Sequence, residues 1–159
     1  MMAPTPCALA ANSEFALHLD MARSCQQTVG KVIAVPTELR YERWYLALSV
    51  PLGLGPKHSE VRVEDGTLHV KMGWAFDAHI PVASITKAEA TSERAFTWGV
   101  HYSSGRWLVN GSVKGLVALT IEPPATAKIW PRNSVRLRAL VLSVTDPDAL
   151  IAACAEARA

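Results

Sequence analysis

Val61-Arg-Val-Glu-Asp-Gly-Thr-Leu-His-Val-Lys-Met72 decides the fold. Val61 and Val63 alternate with Arg62 and Glu64, and Leu68, Val70 and Met72 alternate with His69 and Lys71 on the far side of Asp65-Gly66. Two period-2 runs joined by Asp-Gly form a β-hairpin with one buried face, because that dipeptide tolerates the positive φ of a two-residue turn. Outward from it, Gly73 breaks the pattern. Phe76, Ala78 and Ile80 resume it with Asp77 and His79 opposite, and Pro81 ends the strand for want of an N–H.

Similar segments at residues 85–90, 96–102, 106–110, 116–122, 127–130 and 135–144 extend the meander, with Ser-Ser-Gly and Asn-Gly among the turns between them. Upstream, residues 31–35 read as a strand stopped at Pro36, and residues 40–50, rich in Trp44, Tyr45, Leu46, Leu48 and Val50, read as another. Pro51-Leu-Gly-Leu-Gly-Pro56 reads as a loop. It is no phosphate cradle, because residues 58–63 pattern as a strand where such a motif needs a helix N-terminus.

Along residues 135–144, Val135, Leu137, Ala139 and Val141 hold one face while the other passes from Arg136 and Arg138 to Leu140 and Leu142. A strand that turns apolar on both faces has gained a cover. The helix that follows is the predicted cover, with Asp146 as N-cap, Pro147 at its first position and Asp148 favouring the dipole. Leu150, Ile151 and Cys154 form its stripe, and alanines at 152, 153, 155 and 157 favour its formation. The expected fold is therefore mainly β: a partly open antiparallel barrel of seven or more strands with one C-terminal α-helix.

The 159 residues suffice for one domain with a real core, half of them are hydrophobic, and the net charge of +2 gives no nucleic-acid signal. Residues 1–28 lack a period and are expected to be an N-terminal extension dispensable up to Met21, leaving residues 29–159 as the barrel domain. Cys7, Cys25 and Cys154 match no zinc or redox spacing and read as reduced thiols. No Lys or Arg precedes Arg23, Pro4, Pro6, Asn12 and Glu14 break any leader-like apolar run, and no stretch is long enough to span a bilayer; the cytoplasm is the expected location. Membrane contact, where it occurs, would be peripheral.

At the residue level the chain resembles the uncharacterised PH-like (bacterial pleckstrin-homology-like) domain proteins of actinobacteria. The segments that carry the likeness are Gly73-Trp-Ala-Phe-Asp-Ala-His-Ile-Pro81, Trp98-Gly-Val-His-Tyr102, Arg106-Trp-Leu-Val-Asn-Gly-Ser112 and Ser143-Val-Thr-Asp-Pro-Asp-Ala-Leu150. The resemblance implies a binding or scaffolding barrel without enzymatic chemistry. Phosphoinositide-binding relatives place a Lys-x-Lys/Arg-x-Arg-like cluster around the first hairpin. Here Lys31, Arg40 and Arg43 fall in that region, but Glu38 and Glu42 interleave and the spacing departs from the pattern.

Four constellations of residues bear on chemistry. His69, His79 and His101 occupy polar-face positions on predicted neighbouring strands, with Asp77 beside His79, a donor set that suits zinc if the strands bring it together. Exposed, unrelated histidines are the simpler reading, because register decides which face each side chain takes. Ser103 or Ser104 with His101 and Asp77 could be drawn as a triad, yet Ser103-Ser104-Gly105 is better read as a turn. Trp98, His101, Tyr102, Arg106 and Trp107 flank that turn and form the candidate interaction surface, aromatics and cations being the residue types that anchor interfaces. Arg132, Arg136 and Arg138 read as a solvated basic face.

The sequence thus points to a non-enzymatic module that uses a barrel surface or sheet edge to bind a protein partner or a second copy of itself. No catalytic, cofactor-binding or metal residues are assigned. The alternatives are a barrel holding a small apolar or anionic ligand, and an enzyme built on the His69/His79/His101 patch. An internal pocket lined by aromatics would favour the first alternative, and titratable groups converging in a cleft the second.

Overall fold

The computed structural model describes residues 35–92 and 97–159 of the chain. All belong to one compact unit, Val32–Ala159. The expected extension over residues 1–28, Cys7, Cys25, the strand over residues 31–34 and the start of the strand at Phe96 lie outside the described residues.

The fold is mainly β, as the alternation predicts, and the sheet is open. The strands are β1 (Val35–Thr37), β2 (Ser59–Glu64), β3 (Thr67–Met72), β4 (Phe76–Pro81), β5 (Ile85–Thr91), β6 (Gly99–Ser103), β7 (Arg106–Asn110), β8 (Leu116–Ile129) and β9 (Arg132–Ser143). Along the sheet their order is β1-β2-β3-β4-β8-β9-β7-β6, with β5 paired to β8 off this path. Both two-residue turns form as their sequences dictate: Asp65 and Gly66 have φ of 49° and 68°, and Ser104 and Gly105 of 50° and 81°. Ser104 is a turn residue.

The order departs from a simple meander in two places. β4 pairs with β3 on one side but on the other with the distant half of β8 rather than with β5, and β7 pairs with β9 in parallel, through Trp107↔Leu140 and Val109↔Leu142. The two segments expected at residues 116–122 and 127–130 are one strand, β8, whose register against β9 shifts between Thr120 and Ala125. Pro123 and Pro124 occupy that irregularity, where a missing N–H costs no ladder bond.

Residues 40–50 are a second departure: Arg43–Ser49 is a helix, α1, not a strand. The segment satisfies both periods. Tyr41, Tyr45 and Ser49, four apart, turn inward, while Trp44 and Leu48 stay exposed. The chain ahead of it is held by backbone bonds to other elements, Arg40 N–H to the Ser143 carbonyl at 2.9 Å and Glu42 N–H to the Gly111 carbonyl at 2.9 Å. With its entry fixed, and Leu and Ala favouring helix, tertiary context overrides the β propensity of the aromatics.

The inward faces of β2, β3, β4, β8 and β9 make the core, with Leu68, Met72, Phe76, Ile80, Leu137 and Leu140 wholly excluded from solvent. The C-terminal helix, α2 (Pro147–Glu156), forms as expected: the Asp146 carboxylate accepts from the Ala149 N–H at 3.0 Å, and Leu150, Ala153 and Cys154 are buried. It packs mainly against β5 and β1 and less on β2 and β8. Its stripe therefore closes one mouth of the sheet more than it covers the last strand. Arg158 extends the closure by donating to the Ile85 carbonyl at 2.8 Å.

Candidate functional site

Gly73 governs the geometry at the other end of the sheet. It turns β3 into β4 with φ of 53°, and a Cβ there would run into the carbonyl oxygen of Gly53 in the loop that follows α1. Only glycine lets the turn and the loop press together. The neighbouring Trp74 indole N–H then donates to the Leu52 carbonyl at 2.7 Å, and Trp130, in the β8–β9 turn, is bound through its backbone N–H to the Ala75 carbonyl at 3.1 Å. The two indoles meet edge to face, with ring centroids 5.1 Å apart.

Three separate turns thus present Leu52, Trp74 and Trp130 side by side, 57%, 55% and 66% exposed. Trp74 stands between two clefts of about 700 and 400 Å³, one toward Lys57 and His58 and the other toward Lys128 and Trp130. Just inside this aromatic rim, register places Glu60, Lys71, Asp77 and Lys128 opposite one another across β2, β3, β4 and β8. Glu60 pairs with Arg62 at 3.0 Å, and Asp77 contacts two histidines, so both carboxylates are engaged. Among the described residues, Lys57, Lys71 and Lys128 make no ion pair. The rim is apolar and its uncommitted charge is positive.

The next row inward holds the histidines. His69 and His79 are directly opposed across β3 and β4 and stack with centroids 4.2 Å apart, and Asp77 Oδ1 lies 3.2 Å from His69 Nε2 and 3.5 Å from His79 Nε2. These three could hold a metal ion: their ligand atoms all lie within 4.8 Å of one another. His101 does not join them, because β8, β9 and β7 intervene between β4 and β6. The three-histidine patch is therefore two histidines and an aspartate.

The candidate surface at the β6–β7 hairpin is divided. Tyr102 faces Trp107 across the pair, with centroids 5.1 Å apart, whereas His101 and Arg106 take the opposite side by strand alternation. Trp98 packs edge-on against Trp44 of α1 at 4.6 Å, and its buried indole nitrogen has no hydrogen-bond partner among the described residues. Arg136 and Arg138 are exposed, and the Arg132 side chain lies outside the described residues.

Two further groups are tuned by their surroundings. Burial raises the Tyr41 hydroxyl to about 12; it donates to the Leu54 carbonyl at 2.7 Å and meets Ser59 Oγ at 2.6 Å, which ties the segment ahead of α1 to the loop after it and to β2. The Glu42 carboxyl is held below its ordinary value, first by the Trp44 indole N–H and then by the Val113 backbone N–H. Both interactions fix the segment beside the loop that supports Trp74.

No helix among the described residues is long and apolar enough to cross a membrane. No family model, no curated protein and no solved structure matches the chain.

Proposed function

We propose that the protein is a non-enzymatic, cytoplasmic binding module, PH-like in kind, that seats an acidic protein segment carrying apolar anchor residues on the Trp74–Trp130 rim. The observation that carries this reading is two exposed, mutually packed tryptophans flanked by Lys57, Lys71 and Lys128 with no ion-pair partner among the described residues. Tryptophan offers a large, rigid apolar area at small entropic cost, and lysines beside it select a negatively charged occupant. Concavity on both sides of Trp74 favours side chains of a peptide over the plane of a bilayer. A barrel built to hold a ligand inside receives less support, because the interior is filled by aliphatic side chains with Phe76 as the sole aromatic in the described core.

Selection from a random peptide display library on the full-length protein tests the reading. Enrichment of peptides rich in Asp and Glu with spaced Leu, Phe or Trp, lost on Trp74→Ala and on Lys71→Glu, is expected. Enrichment that ignores both variants would overturn it. So would the absence of enrichment together with sedimentation on phosphatidylserine vesicles, which would reassign the rim to a lipid surface.

A further inference from the structure

We propose that His69, Asp77 and His79 form a zinc site on the outer face of β3 and β4, with Glu60 orienting His69 from behind. The inference rests on this cluster, of which Glu60 and Asp77 also line the clefts beside Trp74. A tetrahedral zinc with bonds of about 2.0–2.1 Å holds neighbouring ligand atoms about 3.3–3.4 Å apart. Asp77 Oδ1 stands 3.2 Å from His69 Nε2 and 3.5 Å from His79 Nε2, so two edges of that tetrahedron already exist.

Register makes the arrangement rigid where it must be. His69 and His79 are cross-strand partners and Asp77 lies two residues before His79 on the same face, so all three ligands come from one hairpin joined by the Gly73-Trp74-Ala75 turn. The two rings stack with their planes 17° apart, so one ring has to turn for both Nε2 lone pairs to converge on one ion. Rotation of the His79 ring brings its Nε2 to the ion. Its side chain is 67% exposed and can turn, whereas that of His69, at 14%, is fixed.

The second indication comes from the far nitrogen of His69. Among the described residues its buried Nδ1 has no hydrogen-bond partner, and it lies 3.8 Å from Glu60 Oε2, beyond a hydrogen bond. In the absence of metal, His69 can give its proton to Asp77 through Nε2, which leaves a lone pair on Nδ1 facing a carboxylate. Binding of zinc at Nε2 moves that proton to Nδ1 and aims it at Glu60, the carboxylate–histidine–metal relay that fixes tautomer and orientation. A soft-to-borderline ion is selected, because two of the three donors are imidazole nitrogens; magnesium and calcium prefer oxygen cages. Lys71 and Lys128 sit opposite Asp77 on the strands to either side of it and oppose any cation, which weakens binding. The fourth position is open to solvent.

Zinc titrated into the full-length, metal-free protein should raise the melting temperature by several degrees at saturation, and magnesium should not. His79→Ala and Asp77→Asn, at positions outside the core, should abolish the response, and Glu60→Gln should weaken zinc binding about 10- to 100-fold. His101→Ala should respond like the parent. Imidazole nitrogen NMR gives a readout that a purely structural role would not move: zinc should shift Nε2 of His69 and place the proton on its Nδ1. Persistence of the zinc response in His79→Ala, or unchanged His69 ring nitrogens at saturating zinc, would overturn the proposal.

Discussion

Replacing Gly73 by alanine should damage the protein more than the same replacement at Gly66, although both glycines sit in hairpin turns with positive φ, 53° and 68°. Each variant carries the backbone cost of a left-handed alanine, about 1–2 kcal/mol, reduced by the lower entropy of the unfolded chain, about 0.4–1 kcal/mol. At Gly66 nothing lies within 4 Å of the new Cβ, so the cost stops there. At Gly73 the Cβ collides with the Gly53 carbonyl and comes within 2.9 Å of Leu54 Cδ2, so the loop after α1 has to move away. That loop is held by Leu54 N–H on the Ser49 carbonyl at 2.8 Å and by the Trp74 indole on Leu52, and forcing it apart costs about a further 1–3 kcal/mol, the range for overpacked sites. Urea denaturation of parent and both variants measures the difference. With slopes of about 1–3 kcal/mol/M, the Gly73→Ala midpoint should fall below that of Gly66→Ala by roughly 1 M. Equal midpoints for the two variants would refute the close approach of loop and turn on which the placement of Trp74 depends.

Leu150→Ala, which opens a cavity under a helix with its leucine 1% exposed, should cost about 2–4 kcal/mol, and Asp146→Ala about 1 kcal/mol through loss of the cap; unchanged unfolding of Leu150→Ala would mean that α2 does not dock. Because the folded Glu42 carboxyl lies below its unfolded value, its contribution is present at neutral pH and disappears as pH falls through the folded value. The stability gap between the parent and Glu42→Gln should therefore narrow on acidification, and a gap that widened would contradict the hydrogen bonds from Trp44 and Val113. Burial pushes the Cys154 thiol up to about 11, so site-resolved iodoacetamide labelling near pH 8 should reach it only in denaturant. Equal labelling of the native protein would show that the helix end is open.

What was legible in the sequence was local. Asp65-Gly66 and Ser104-Gly105 set two hairpins because a two-residue turn carries its own φ requirement, and Asp146-Pro147 began a helix because a cap acts within four residues. The antiparallel pairing of β3 with β4 follows from the same locality, so His69, Asp77 and His79 could be placed on one face. His101 could not, since its distance from them depends on β8 and β9 entering between, and no local pattern states that β7 lies parallel to β9. Residues 40–50 satisfied both periods and were decided by contacts at Ser143 and Gly111, about 70 to 100 residues away. The tryptophan rim had no signal at all. Trp74 and Trp130 occupy different turns, and the non-local pairing of β4 with β8, extended by the Trp130 N–H bond to the Ala75 carbonyl, brings them together.

Affinity of one selected acidic peptide for four proteins, measured by calorimetry, separates the rim from the hairpin surface. The parent and Trp107→Ala should bind alike, because Trp107 lies against Tyr102 on β6–β7, with β8 and β9 between that hairpin and β4. Trp74→Ala and Trp130→Ala should each lose at least about 2 kcal/mol, roughly thirtyfold in affinity, as expected of paired aromatic anchors. Full affinity in both rim variants with loss in Trp107→Ala would contradict the assignment and move the binding surface to the β6–β7 hairpin.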